Sequence, residues 1–421
     1  MKKQILLSSF VFCVISSIIT TTAAFADENL AADLYKPNRY FEIGVDSEAG
    51  GANNYFSTSN LLVKDLVIDF NQISNDISDD GLQFGVATHE KAFVNLNIGE
   101  KCRLSFFGGV DATGFMSISH DLFAFLAEGI EIGESRKVDV TGHFETFVHA
   151  GVSLQTKIKG FAVKFMPSYF VPLVYVPETT ATGSLSTKET GEIKAYASAP
   201  VEVYSCVSLQ SMLDDNKIPE IAVNEILSNG GFDFGLALEK RFFPSLDAGL
   251  FTRIPIVAGT LKHKASTSYY ASFETNGLLG KLSDSEEHNS EHGHTDWEYS
   301  EEDFKIHRPL KVGLNASWRP FGGAKWFRIN PMAAIAVRNP YTSDSKIYAE
   351  YSLDALISAF NIFNLTFGTS YLDEMFYQKL GFGFNFRVIE IICQARLAGT
   401  DFATSFSGTG ASAYAGVRIG F

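Results

Sequence analysis

From Phe232 to the C-terminus, apolar and polar residues alternate with a period of two. The runs fall near 232–242, 246–257, 309–319, 326–338, 346–354, 361–372, 377–388, 391–402 and 411–421. The last run sets the pattern. Its odd positions are Ala411, Ala413, Ala415, Val417, Ile419 and Phe421, and its even positions are Ser412, Tyr414, Gly416, Arg418 and Gly420. Side chains alternate across a β-strand, so one face is wholly apolar and the other carries Tyr414 and Arg418. Such strands suit a sheet standing between lipid and a polar interior. His143–Lys159 repeats the pattern, and a tight turn at Lys159-Gly160 leads into Phe161, Val163, Phe165, Tyr169 and Val171 on one parity. Short links (Phe243–Ser245, Pro320–Gly323, Ile389-Glu390) alternate with longer ones. If Phe421 ends on the periplasmic side, the short links lie there and Lys262–Lys305 becomes a long extracellular loop.

The N-terminal half is less regular. Met1–Ala26 reads as a cleaved secretory signal: Lys2 and Lys3, an apolar Ile5–Ile19 stretch, and Ala24-Phe25-Ala26 as the processing site. Residues 27–80 are predicted to hold a first strand at Tyr40–Asp46 and a helix bearing Phe70, Ile73 and Ile77, stopped at Gly81. That helix is either a plug or lid at one barrel end or an ordinary connector. Strands over Gly81–Ser117 are predicted to break near His89-Glu90 and at Gly99-Glu100. Short helices follow at Ser119–Gly129 and Asp214–Asn229, and Glu192–Leu209 is strand-like but interrupted by Pro200. Between Thr190 and Gly231 the strand count fails: either one strand is missing or Pro200 splits one. With about ten residues per membrane strand, residues 81–421 give a closed antiparallel transmembrane β-barrel of about 14 strands, in the range 12–16, with short helical insertions.

A terminal Phe421 preceded by apolar residues at every second position resembles the C-terminal signature of bacterial outer-membrane β-barrels. That resemblance implies the outer membrane as location, its lipids as surroundings, and the barrel-assembly machinery as a partner of the last strand. Gly231–Leu238, Arg308–Leu314, Trp318–Phe321 and the closing strand resemble uncharacterised spirochaete outer-membrane barrels, which are compared with the fatty-acid transporter type.

Net charge is −14. An acidic surface repels phosphate backbones, which argues against nucleic-acid partners. Mean hydropathy is +0.05, in keeping with a barrel whose lipid-facing and interior residues average out. Beyond the signal the cysteines are Cys102, Cys206 and Cys393. An odd count permits one disulfide at most, so this is no cysteine-stapled fold.

Three constellations carry candidate chemistry. His288, His292 and His294, among carboxylates in a polar stretch, have the donor types for zinc; otherwise they belong to a solvated acidic loop. Arg319, Arg328, Arg338, Arg387, Arg396 and Arg418 fall on the interior parity with Tyr414, where charged side chains set ion selectivity or fill a narrow lumen. His143, Glu145 and His149 share an interior face, read as structural polar residues. No nucleophile elbow, metalloprotease helix, phosphate loop or dinucleotide fingerprint is present, so neither catalysis nor a cofactor is expected. The expected function is a passive porin or channel for small or hydrophobic solutes. The alternative is a surface-exposed, adhesin-like barrel with an occluded lumen.

Overall fold

A computed structural model describes residues 39–57, 69–99, 101–128, 135–187, 193–210, 223–275, 288–360 and 362–421. The secretory signal expected at Met1–Ala26 lies outside them. The strands are β1 (Phe41–Asn53), β2 (Leu82–Ile98), β3 (Cys102–Ile118), β4 (Ser135–Ile158), β5 (Phe161–Thr187), β6 (Ile193–Ser205), β7 (Gly231–Phe243), β8 (Leu246–Val257) and β9 (Gly259–Thr275). After them come β10 (His288–His294), β11 (Glu298–Ile306), β12 (Leu310–Trp318), β13 (Phe327–Arg338), β14 (Lys346–Ala359), β15 (Phe363–Leu372), β16 (Met375–Asn385), β17 (Ile389–Gly399) and β18 (Gly410–Gly420).

Fourteen of these strands form a closed antiparallel ring. β1 to β5 pair in sequence, β5 pairs β7, β7 pairs β8, β8 pairs β12, and β12 to β18 again pair in sequence. β18 then returns to β1, with Ile43 opposite Ile419 and Gly51 opposite Ala411. Burial inverts the rule of water-soluble proteins. Along β18 the alternate residues Ala411, Ala413, Ala415, Val417 and Ile419 are exposed, while Ser412 and Tyr414 are buried. Leu314 is 65% exposed and Ile347 is 72% exposed, whereas Asp233 is fully buried. Apolar residues face outward and charged ones inward.

Between Thr190 and Gly231 the count fails because β6, the strand-like Glu192–Leu209 run, is not part of the ring, in which β5 pairs β7 directly. It joins a second sheet that continues from one barrel wall. The distal part of β5 pairs β6, β6 pairs β9, and the far side of β9 carries β10 and β11. Pro200 does not split β6. It sits opposite Ser268 of β9, where the β5 ladder lapses between Tyr175 and Thr182, so its absent N–H removes no bond on that side. The Lys262–Lys305 stretch, expected as a loop, is largely this hairpin: its β pattern is polar on both faces, which hides the period. His89-Glu90 does not break β2 either: the ladder to β3 runs on through it, and His89 falls on the inward parity with Lys91 and Asn97.

The helices are α1 (Phe70–Asp76), α2 (His120–Glu128) and α3 (Val223–Ser228). Asp69 caps α1 by accepting from the Asn71 and Gln72 N–H groups. Ile73 and Ile77 pack with Phe123 and Leu82 at the ends of β2 and β3. The His120 ring also contacts the Ser74 carbonyl at 2.8 Å. These two helices therefore brace one rim.

Inside the barrel two apolar layers fill space between the charges. Met166, Ala237, Phe251 and Ala334 form one, with Phe107 and Met332 against it. Met375 and Tyr377 form the other, with Ala52, Ala87 and Ala398. Phe251→Ala would leave a cavity in the first layer and is expected to cost about 3–5 kcal/mol, read as a lower urea midpoint for the folded band of refolded protein. In the second sheet, Tyr204 stacks on Phe304 at 4.1 Å and Cys206 packs beside them. Burial pushes the Cys206 thiol up to about 11 from 9.0. It should alkylate slowly at pH 9, where an ordinary thiol is about half ionised, and speed up only as the pH approaches 11.

Candidate functional site

The lumen is the candidate site, and a chain of ion pairs spans it. Arg308, 2% exposed, precedes β12 and reaches two strands, with Nη1 to Asp233 Oδ2 of β7 at 2.8 Å and Nη2 to Asp111 Oδ2 of β3 at 2.8 Å. Ser168 of β5 donates to the same Asp233. Asp111 also meets His149 Nδ1 at 3.4 Å and His89 Nδ1 at 3.2 Å. His89 Nε2 continues to Asp373 Oδ2 at 2.7 Å, in the β15–β16 turn. Both His89 contacts are donated together only by the doubly protonated ring. Beside them Arg338 of β13 lies 3.6 Å from Glu145 of β4 and 3.0 Å from Glu374. His143 Nε2 is 3.3 Å from that Glu374 and stacks on Phe115. Among these side chains lies a cavity of about 30 Å³ lined by His89, Asp111, Glu145, Arg253, Arg308 and Asp373, among others. A volume of that size holds about one water molecule.

A second group sits near the seam. Arg396 pairs with Glu48, shares Gln394 at 2.9 Å, and lies over the Tyr377 and Tyr414 rings. Tyr414 Oη donates to Asp46 Oδ1 at 2.9 Å, and Arg418 Nη2 reaches the same oxygen at 3.4 Å. At the opposite end from the β15–β16 turn, Arg319 pairs with Asp247, which also takes Arg241 Nε at 2.6 Å. Arg328 is half-buried on the inward parity of β13. Among the sequence candidates, His143, Glu145, His149 and Arg338 thus meet in the central network, and Arg396, Arg418 and Tyr414 meet at the seam.

Arg387 does not line the lumen. β16 ends at Asn385, and Phe386–Val388 form the turn, with Arg387 exposed at φ 68°. The alternation runs one turn too far there because Phe386 and Val388 keep the apolar parity. In β10 the backbone puts His288, His292 and His294 on one parity. His294 contacts the Thr295 carbonyl at 2.8 Å and lies beside Tyr269; the side chains of His288 and His292 lie outside the described set. Among the described residues no three His, Cys, Asp or Glu side chains converge to hold a metal. Residues the pattern left out (His89, Asp111, Asp233, Arg308, Asp373 and Glu374) prove central. His89, Asp111 and Asp233 carried a signal, a titratable side chain on the inward parity of a strand, whereas Arg308, Asp373 and Glu374 lie between strands, where parity gives none.

A scan of family models finds no match, and no curated protein matches either. Among solved structures, the Pseudomonas putida toluene transporter TodX aligns at 9% identity over 95% of this chain and 96% of its own, with a TM-score of 0.43. The Ralstonia pickettii toluene transporter TbuX gives 9% identity, 95% and 96% coverage, and 0.43. A Pseudomonas aeruginosa FadL homologue gives 8%, 91% of each chain, and 0.44. This chain's own ladder defines its class, a closed 14-stranded antiparallel β-barrel with an apolar exterior and a charged interior.

Breaking a buried pair strands its partner. Arg308→Met should therefore destabilise the barrel by about 3–5 kcal/mol, and adding Asp111→Asn and Asp233→Asn should recover much of that loss in the same urea titration. A triple variant no more stable than the single one would contradict the assignment.

Proposed function

We propose that the chain is a bacterial outer-membrane barrel acting as a passive porin or channel for small or hydrophobic solutes. The observation that carries this reading is the chemistry of the lumen's filling. Charges are costly to bury, and apolar packing of the same volume stabilises a fold at least as well. A lumen filled only for rigidity would therefore be apolar throughout. Here the strands meet across it through Arg308, Asp111, His89, Arg338 and Glu145, side chains that water and permeating solute can separate. The outward apolar face supports a place in lipid, and the short links at the opposite end support an extracellular rim sheet of β6 and β9–β11. Phe421 closes the seam: its carbonyl accepts from the Tyr40 and Phe41 N–H groups while its exposed ring lies 5.7 Å from Phe41. That exposed terminal aromatic supports recognition by the assembly machinery.

A second reading has its own support. The packed lumen and the rim sheet also suit a barrel that displays β9–β11 to a surface ligand. Planar-bilayer recording separates the two. The conduit predicts discrete current steps whose preference shifts toward cations in Arg396→Gln and Arg418→Gln. A barrel silent under all voltages, whose surface binding vanishes when 262–305 is deleted, would overturn the conduit in favour of display.

A further inference from the structure

We propose that the β15–β16 turn, Asp373-Glu374, is the latch that holds the lumen shut. Leu372 pairs directly with Met375, so these two residues alone make the turn. Both have positive φ, 50° and 64°. Glycine and asparagine suit such turns; glutamate is strained there. What these two residues bring to the turn is therefore their side chains. A turn at a barrel rim ordinarily faces solvent, yet these side chains are only 13% and 12% exposed.

Their carboxylates clasp four other strands. Asp373 takes His89 of β2 at 2.7 Å. Glu374 takes Arg338 of β13 at 3.0 Å, His143 of β4 at 3.3 Å and Lys346 of β14 at 3.6 Å. β4 stands diametrically opposite β15. Between them lie β5, β7, β8, β12, β13 and β14 one way, and β3, β2, β1, β18, β17 and β16 the other. One hairpin tip thus ties both walls together across the full lumen and forms part of the central cavity's lining. Just below the tip, Met375 is wedged against β2, where a Cβ on Gly85 would lie 2.7 Å from it. This contact seats the hairpin on an apolar pivot. Releasing the two carboxylates frees the tip to swing outward about that pivot and leaves His89, His143 and Arg338 facing an open path.

The latch rests on the conduit reading for its consequence, not for its geometry, and the test reads both. Thr113, buried on the cavity wall, is replaced by Cys in a chain whose Cys102, Cys206 and Cys393 are Ser, and the purified barrel is exposed to a small charged maleimide. Asp373→Asn with Glu374→Gln should raise the labelling rate about tenfold, as expected when local opening loses its charge-assisted bonds. His89→Gln with His143→Gln, which removes partners from the other walls, should do the same if the first pair refolds poorly by gel mobility. Labelling unchanged in both variants overturns the latch, whatever current the wild type carries. Faster labelling with no current in bilayers keeps the latch and rejects the conduit.

Discussion

Hydrocarbon offers no partner to a backbone N–H or C=O, so a sheet in lipid must have no free edge. Everything else in this barrel follows from that closure. The β1–β18 seam, with ten residues of each strand in register from Glu42–Gly420 to Gly51–Ala411, removes the last unpaired edge. Once closed, the sheet has only two faces. Lipid takes the apolar residues, and everything that alternates with them must be accommodated in the interior.

Fourteen strands enclose more space than short side chains fill. This chain fills it with layers of different character. Phe251 and Met166 pack with small alanines at one level, while arginines and carboxylates from facing strands meet at another. The polar layer is held by geometry as well as charge. Arg308 presents two guanidinium nitrogens to two carboxylates on different strands, which a lysine could not do with the same fork. The rim sheet has no lipid to satisfy, so β6 and β10–β11 tolerate a proline, a bulge between Glu301 and Phe304, and a polar pattern on both faces.

How much of this was legible depended on which solvent each residue meets. Lipid imposes a strict period of two, so the strands after Phe232, the closing strand and a count near fourteen could be read from the residues. Where that constraint ends, legibility ends. β6 and the β9–β11 hairpin lie outside the ring and carry no clean alternation, so β6 read as a broken strand of the barrel and the hairpin as a loop. Arg387 was misplaced because Phe386 and Val388 extend the apolar parity into a turn. The lumen was half legible: parity placed His143, Glu145, Arg338 and Arg396 inside. Pairing across the barrel, as from Arg308 to Asp111, depends on which strands face one another, and parity along a single strand carries no such information.

The most direct test of the account is nitroxide scanning of β18 in lipid, with relaxation by dissolved oxygen compared against a water-soluble nickel chelate. The account predicts a period-two profile, with Ala411, Ala413, Ala415, Val417 and Ile419 favouring oxygen, and Ser412, Tyr414, Gly416 and Arg418 shielded from it. A flat profile, or oxygen access at the even positions, would contradict a barrel that turns its apolar residues outward.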